Sequence, residues 1–509
     1  MHPRLHNKIS ILVNGLNKFT IDNHLIIYKI KIRSMLTFNL IIYFLFTQSP
    51  EIKWGRVYGG EGNDYGRGVL ECADKGFIAV GSTNSFGNGG FDVYILKTDS
   101  LGYPVWTKTY GGAQDDYGYA ICPAKDSGYI IVGATSSFGQ GMSDIFVIKI
   151  NEDGDSIWIR TYGDSMDEIG YSITEANDNN YVITGITSSS GAGGVDIYTI
   201  KIDSQGELIW SKTYGGNLDD LGFCVDATND GGCIIAGTTF SFGNGSGDVY
   251  LVKTDSLGGI EWTRIYGTNN DEKGLCVQQT ADSGYIVCGS AYVILLNYEW
   301  CLLRYNHNGS LVWDNFQGSL NDDFAYSVQE IFQKNYIIGG NFSYEMYVVR
   351  TDTEGLNVWM LIYGGAGTDC AFSVKQTADS GYIIAGITDS YGAGGYDLYL
   401  VKTYPDQVAI EENLSQTNPP SSTDIEISPN PFYDRIKISY HKKFYGCIKD
   451  IKIYDVTGRL VKTFNNLTNY QLPIHWDGSD NVGNHVSAGI YYIITSSAKG
   501  YISKKAIKK

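Results

Sequence analysis

Seven tryptophans recur along the chain at a spacing of about fifty residues, and this repeat constrains the fold more than any other feature. After each one the same segments follow in order: an acidic turn, two short apolar segments, a loop that is glycine-rich in five of the seven copies, and a strand of the type "DVYILK". A repeat of this length with four strand-like segments is typical of a β-propeller blade. The tryptophans are Trp54, Trp106, Trp158, Trp210, Trp262, Trp313 and Trp359.

The turns set the register of the repeat. In six repeats an Asp or Asn stands three residues before a glycine, directly after the "DVYILK" strand, as Asp99 and Gly102 do in the first repeat. Asp or Asn followed by a glycine is typical of a β-hairpin turn, so we expect the Trp strand to pair with the strand before it. The last copy, "DLYLVKTYPDQ", lacks the turn, whereas an extra Trp strand, "IKWGRVYGG", precedes the first complete repeat.

We therefore predict an all-β chain whose residues 50–404 form a seven-bladed β-propeller with four-stranded blades. In this interpretation the N-terminal strand is the missing fourth strand of the last blade. Closing the ring in this way removes two sheet edges that would otherwise be exposed.

The glycine-rich loop, "GNGGFD" at residues 87–92, resembles both a phosphate loop and a calcium-binding repeat. A strand rather than a helix follows it, and no Gly-Lys-Ser/Thr ends it. Calcium β-roll repeats recur every nine residues or so, far more often than this loop does. The pattern therefore predicts a turn between two strands, which is glycine-rich because the backbone bends there.

Seven acids, one in each repeat, lie six residues beyond the aromatic residue of the Trp strand and precede the predicted innermost strand. A ring of carboxylates at the channel mouth would suit calcium, or a cationic or hydroxyl-rich ligand. The alternative is that each acid caps its own turn. No cofactor other than this calcium is predicted, and the metal ligands are not assigned. The candidate ring consists of Asp64, Asp116, Glu168, Asp220, Glu272, Asp322 and Asp369.

Other charges point away from catalysis and from nucleic acid. The propeller contains one histidine, His307, so His-based triads and His-rich metal sites are nearly excluded. Residues 54–423 hold 18 Lys+Arg against 46 Asp+Glu, a balance that repels phosphate backbones and anionic lipid. The acid at the head of each "DVYILK" strand and the base five residues later, such as Asp92 and Lys97, are predicted to contact neighbouring blades. Most Tyr and Trp residues recur at blade-core positions, which indicates packing.

The N-terminal residues 1–49 have the outline of a secretory signal. Lys29, Lys31 and Arg33 precede an apolar segment at residues 40–46, which ends in small polar residues and is short for a membrane span. Met35 is a candidate translation start. Nine cysteines, none of them in a C-x-x-C pair, are predicted to be small buried hydrophobic residues.

A Pro-, Ser- and Asn-rich linker at residues 405–423 precedes a basic segment, residues 424–509, whose alternating apolar positions predict a small Ig-like β-sandwich. This segment resembles the type A sorting domain of the type IX secretion system of Bacteroidota. The matching residues are Pro429, Asn430, Pro431, Phe432, Gly458, Arg459, Trp476, Gly478, Gly489, Tyr491, Lys504 and Lys505. The resemblance implies contact with that secretion machinery and export to the medium or the outer-membrane surface. It also implies that the domain is removed or exchanged for an anchor.

The sequence as a whole predicts a secreted or surface-attached propeller that acts as a binding or adhesion module without enzymatic activity. Its ligand, a glycan or a protein, is not assigned. Two alternatives stay open: a polysaccharide-degrading hydrolase or lyase that uses carboxylates at the channel mouth, and a structural surface-layer protein.

Overall fold

The computed structural model describes residues 49–293, 297–319, 321–406, 425–429, 432–440, 448–455, 460–465, 474–497 and 500–509. Ahead of them it gives only four short strands, Phe19–Ile21, Leu25–Ile27, Ile30–Ile32 and Leu40–Ile42. Apart from those strands, the predicted signal segment and the Met35 start lie outside the described residues. The chain divides into two compact units, residues 1–409 and 410–509, and each is described by itself.

The first unit contains seven four-stranded antiparallel sheets, which are the blades of a propeller. The first strands of successive blades contact one another in a closed circle, so they are the inner strands. The inner strands are Asp64–Glu71, Asp116–Pro123, Glu168–Glu175, Asp220–Ala227, Glu272–Gln279, Phe324–Glu330 and Asp369–Gln376. The second strands are Phe77–Thr83, Tyr129–Thr135, Tyr181–Thr187, Cys233–Thr239, Tyr285–Val293, Tyr336–Phe342 and Tyr382–Thr388.

The remaining strands complete each blade towards its rim. The third strands are Asp92–Thr98, Asp144–Ile150, Asp196–Ile202, Asp248–Thr254, Asn297–Tyr305, Glu345–Thr351 and Asp397–Thr403. The outer strands are Pro104–Tyr110, Ser156–Tyr162, Leu208–Tyr214, Ile260–Tyr266, Leu311–Gln317, Asn357–Tyr363 and, in blade 7, Ile52–Tyr58. A single 3-10 helix, Phe332–Lys334, interrupts the strands among the described residues.

The ring closes as the sequence predicts. The N-terminal strand pairs antiparallel with the third strand of blade 7, with Trp54 opposite Lys402. Second and third strands are buried on both faces because each blade packs between two others. Their apolar side chains form cores between adjacent blades, such as the cluster that joins Ile130 of blade 2 to Ile183 of blade 3.

Contacts between the outer strand of one blade and the hairpin of the next explain why the Trp and the turn glycine repeat together. Gly154 has a φ of 82°, and a Cβ placed on it would lie 2.7 Å from the Trp106 ring. Glycine is therefore required there both by the backbone and by space. Trp158 Nε1 donates a hydrogen bond to the Ser204 carbonyl at 3.2 Å, which fixes the next hairpin in the same way.

Six of the seven bases of the third strands pair with an acid of their own blade, and Lys149 and Arg304 also donate hydrogen bonds to the next blade, so the predicted contacts between blades are found in part. Lys97 Nζ lies 2.7 Å from Asp74 in the turn between the inner and second strands of blade 1. Blade 6 lacks this turn acid, and Arg350 instead pairs at 2.7 Å with the buried Asp406, which follows the third strand of blade 7. Asp406 also accepts a hydrogen bond from Tyr382 Oη at 3.0 Å. This residue, which the sequence assigns to the linker, therefore lies in the propeller.

The second unit contains two sheets around one core. One sheet consists of Ile425–Ser428, Ile436–Tyr440 and Ile474–Trp476. The other consists of Leu460–Asn465, Ile448–Asp455, Gly489–Ser497 and Gly500–Lys508.

The residues of the sorting motif centre on Trp476, whose buried ring lies 5.4 Å from that of Phe432 and 5.2 Å from that of Tyr491. Gly478 has a φ of 73° and lies against Lys508. Pro429 follows the first strand, and Gly489 begins a strand of the second sheet. The last strand contains Lys504 and Lys505, whereas Asn430, Pro431, Gly458 and Arg459 lie outside the described residues.

Candidate functional site

The two faces of the propeller carry different connections. The front face is the end where the inner strands begin, and it carries the glycine-rich loops and the connections between blades, residues 84–91 and 111–115 at blade 1. The back face carries the short hairpins, such as residues 99–103. The predicted acidic ring and the exposed loop aromatics lie on the front face.

Six of the seven predicted ring acids begin an inner strand, and each is at most 2 % exposed. In blade 2, Asp116 Oδ2 accepts hydrogen bonds from the Gly112 backbone N–H and the Ser137 hydroxyl, both at 2.7 Å. The other five of these acids likewise accept a hydrogen bond from the backbone N–H of the residue four positions upstream. This is the turn-capping geometry that the sequence left open as the alternative. Ligand contact at these acids stays a prediction.

Asp322 is not a member of this set, and the sequence assignment is wrong by one residue in blade 6. The buried Asp323 accepts the N–H groups of Ser319 and Ser343, whereas the exposed Asp322 accepts only that of Tyr298, at 2.9 Å. Asp322 lies six residues beyond Phe316, which is the aromatic residue of this outer strand but does not occupy the position of the tyrosine in the other blades. Gln317 is the residue that pairs as the usual tyrosine does, since it lies opposite Trp300.

Each inner-strand acid packs beside the acid that heads the third strand of the preceding blade. A Cβ on Gly215 would lie 1.9 Å from Asp196 Oδ1 and 2.7 Å from Asp220 Oδ2, so only glycine leaves room for the pair. Burial, reinforced by the charge of Asp220, raises the pKa of Asp196. Burial likewise raises the pKa of Asp144 to about 6. These pairs are packed components of the blade junctions.

The described side chains do not form a recognisable metal site. No group of three or more His, Cys, Asp or Glu side chains among the described residues is arranged to hold a metal ion. A calcium ion at the ring therefore stays a prediction. His307 lies in the back-face hairpin of blade 5, at the opposite end of the blade from these acids.

A second ring, which the sequence reasoning missed, lies deeper along the propeller axis. Every inner strand carries a β-bulge near its start, as between Gly66 and Gly68 in blade 1, and the bulged residue is unpaired with the second strand. Bulges re-aim a side chain, here towards the axis. These seven residues, the bulge ring, are Arg67, Tyr119, Tyr171, Phe223, Leu275, Tyr326 and Phe372.

Members of the bulge ring contact each other across blades. Ring centroids of Tyr119 and Tyr171 lie 5.2 Å apart, and those of Tyr171 and Phe223 lie 5.8 Å apart. Tyr326 and Phe372 lie 4.9 Å apart on the other side. The sequence does not distinguish these ring residues from core residues, because aromatic residues also occur at core positions of the blades.

Further aromatic residues connect this ring with the front face. Phe91 lies between Tyr65 and Tyr117, with ring centroids 5.6 and 5.3 Å away. Phe86 and Phe138, in the glycine-rich loops, are 46 % and 48 % exposed. The sequence predicted packing roles for most aromatic residues, but the side chains of Phe86 and Phe138 are exposed to solvent on the front face.

Fold and motif together define the class of the molecule, an exported seven-bladed propeller. Residues 426–509 match the family described as the secretion system C-terminal sorting domain, which confirms the resemblance drawn from the motif. The domain indicates interaction with the type IX machinery and placement in the medium or on the outer-membrane surface. Among the described residues, no helix has the length and apolar character needed to cross a membrane.

The comparison with solved structures gives matches of low sequence identity. PorZ of Porphyromonas gingivalis, described as an essential surface component of the type IX secretion system, is 15% identical with a TM-score of 0.45. The match covers 92% of this chain, which spans 61% of the PorZ chain. The Pan2 WD40 domain of Neurospora crassa is 10% identical over 68% of this chain and 90% of its own, with a TM-score of 0.43. The comparison with curated proteins gives no match.

Proposed function

We propose that the chain is an exported binding or adhesion module that takes its ligand on the front face of the propeller. The observation that carries this proposal is the gathering of exposed aromatic side chains there. Four of them follow a serine in the glycine-rich loops, and exposed aromatic rings offer apolar surface on which a ligand can stack. They are Phe86, Phe138, Phe242 and Tyr391, with exposures of 46 %, 48 %, 40 % and 47 %.

Enzymatic use of the front-face carboxylates is less well supported. A glycosidase needs two acids in different environments on either side of an open substrate position. The inner-strand acids are buried, and Asp116 and Asp220 have the same partners in their own turns. The binding proposal therefore involves no turnover.

The test is an array of polysaccharides, host glycans and surface proteins probed with the purified full chain, with and without calcium. A double variant, F86S and F138S, is compared with I157S, whose side chain is 56 % exposed on an outer strand. We expect the double variant to lose at least about tenfold in affinity for the array ligand and I157S to bind as the wild type does. Equal affinities in all three proteins would contradict a front-face site.

Product formation and self-association separate the two alternatives. Conversion of an array glycan would establish the enzyme. A blank array together with concentration-dependent assembly of the full chain would establish the structural protein.

A further inference from the structure

Arg67 is the only charged member of the bulge ring, in which the other positions hold Tyr, Phe or Leu. Its guanidinium carbon lies 4.0 Å from the centre of the Phe372 ring and 5.6 Å from that of Tyr65. Among the residues that the structure describes, Arg67 makes neither a hydrogen bond nor an ion pair. Its five N–H donors are therefore free for another partner.

This lack of a partner is unusual in the propeller. Residues 54–423 contain 46 Asp+Glu and only 18 Lys+Arg, so carboxylates are plentiful. Bases of the third strands, such as Lys97 and Arg304, lie within 3 Å of an acid. Partly enclosed cations are normally paired, and an unpaired one inside an acidic protein suggests that its anion comes from elsewhere.

Three tyrosines complete the surroundings of Arg67. Tyr119 occupies the next position of the bulge ring, and its ring centroid lies 5.2 Å from that of Tyr171. Burial raises the pKa of both phenols, and the charge of Arg67 acts in the opposite direction on both. Tyr326, whose ring packs on Phe372, lies on the other side. A phenol hydroxyl both donates and accepts, so it suits a sugar hydroxyl as well as a carboxylate.

We propose that the bulge ring is a carboxylate site for the terminal acidic sugar of a glycan that enters from the front face. Arg67 holds the carboxylate, and Tyr119, Tyr171 and Tyr326 contact the remainder of the sugar. The inference rests on the proposed function and names its ligand class.

The chemistry of each part fits such a sugar. A guanidinium binds a carboxylate through two parallel hydrogen bonds, which fixes its orientation. Tyr65, Phe91 and Tyr117 pack on one another at the front end of the ring and add partly exposed aromatic surface there.

Depth and charge select the end of a glycan rather than its middle. Arg67 is three residues beyond the start of its strand, about 10 Å below the rim. The acidic body also repels a long polyanion, whereas a single carboxylate at a chain end carries little charge. A uronic acid at a non-reducing end meets both conditions.

The experiment measures binding of two probes to the full chain by calorimetry. One is an oligosaccharide that ends in glucuronic acid, and the other is the same molecule with that carboxyl reduced to an alcohol. R67Y places in blade 1 the residue that blades 2, 3 and 6 already have, and R67Q keeps a polar side chain without charge. R56Q is the matched control, since Arg56 stacks over Tyr103 at 3.8 Å on an outer strand.

We expect the wild type and R56Q to bind the acidic probe at least about tenfold more tightly than the reduced one. R67Y and R67Q lose this preference while their melting temperatures stay within a few degrees of the wild-type value. Retention of the preference in both variants would overturn the inference and leave the proposed function standing.

Other outcomes separate the two proposals. If the wild type binds an array ligand but neither probe, or binds a peptide carboxylate through Arg67 and no sugar, the acidic-sugar site is overturned and the binding module stands. If the array and both probes are blank, the binding module and the site fail together.

Discussion

The acids that begin the inner strands and the bulge ring behind them lie on the same seven strands but follow opposite rules. The acids are nearly invariant because each satisfies the turn of its own blade, as Asp116 does for Gly112. The bulge residues vary from Arg67 to Leu275 because they meet residues of other blades at a common axis. In a repeat protein, a position that repeats reports what one blade needs. A position that differs between blades is set by contacts that the closed ring creates at its axis.

The largest expected effect tests whether the ring is a unit at all. A chain that begins at residue 61 lacks the outer strand Ile52–Tyr58 and its pairing with Asp397–Thr403. We expect its melting temperature to fall by more than about 10 °C, because the edge of the third strand of blade 7 becomes exposed and the buried side chain of Tyr58 is lost. The control chain begins at residue 49. Equal melting of the two chains would mean that blades, not the closed ring, are the unit of stability.

The next prediction compares two adjacent acids. D323A leaves two half-buried N–H groups, those of Ser319 and Ser343, without their acceptor, and should cost about 2 to 3 kcal/mol in the free energy of unfolding. D322A removes an exposed carboxylate with one bond, to the Tyr298 N–H, and should cost less than about 1 kcal/mol. Urea unfolding of both variants measures the difference. The reverse order would restore Asp322 to the acidic ring.

The paired acids predict an unusual dependence of stability on pH. Burial raises the pKa of Asp144 to about 6, so between its ordinary pKa near 4 and that value the folded chain binds more protons than the unfolded chain. The free energy of unfolding therefore falls as the pH rises through this window. The other third-strand acids shift in the same direction: Asp92, Asp196, Asp248, Glu299, Glu345 and Asp397.

Below that window the sign reverses. Burial alone would raise the pKa of Asp282, but hydrogen bonds from Thr280 and Gly284 and the charge of Arg304 hold it at about 2. Stability from such acids is present above their ordinary pKa and is lost as the pH falls towards 2. Calorimetry should give a melting temperature at least about 3 °C higher at pH 4.5 than at pH 7.5, and D144N should reduce this difference. A maximum at neutral pH would contradict protonation of the buried pairs.

The smallest expected effect concerns the bulge ring. F223Y and R67Y each place in one blade the residue that one adjacent blade already carries, so the free energy of unfolding should change by less than about 0.5 kcal/mol. Urea unfolding of the full chain measures it. A loss of 2 kcal/mol or more in either variant would make the bulge ring a structural core, and the contrast with the turn acids would disappear.

Local chemistry explains how far prediction from sequence reached. The hairpin turn around Gly154 depends on residues close together in the chain, and the Trp spacing repeats in every blade, so together they predicted the blade, its register and the closing strand. The PNPF segment and Trp476 likewise identified the sorting domain. Prediction failed where partners come from distant segments. Asp406 is ordered by Arg350, and the register at Gln317 depends on its pairing with Trp300.

The sequence by itself determined a seven-bladed, exported propeller with a sorting domain, because the strand pattern, the turns and the sorting motif each depend on short segments of the chain. Only the tertiary structure decided which repeated residues are buried. It showed that the acids of the predicted ring bind the backbone of their own turns and are covered by the neighbouring blade. It also brought Arg67 and Phe372 together, because closing the ring makes neighbours of the first blade and the last.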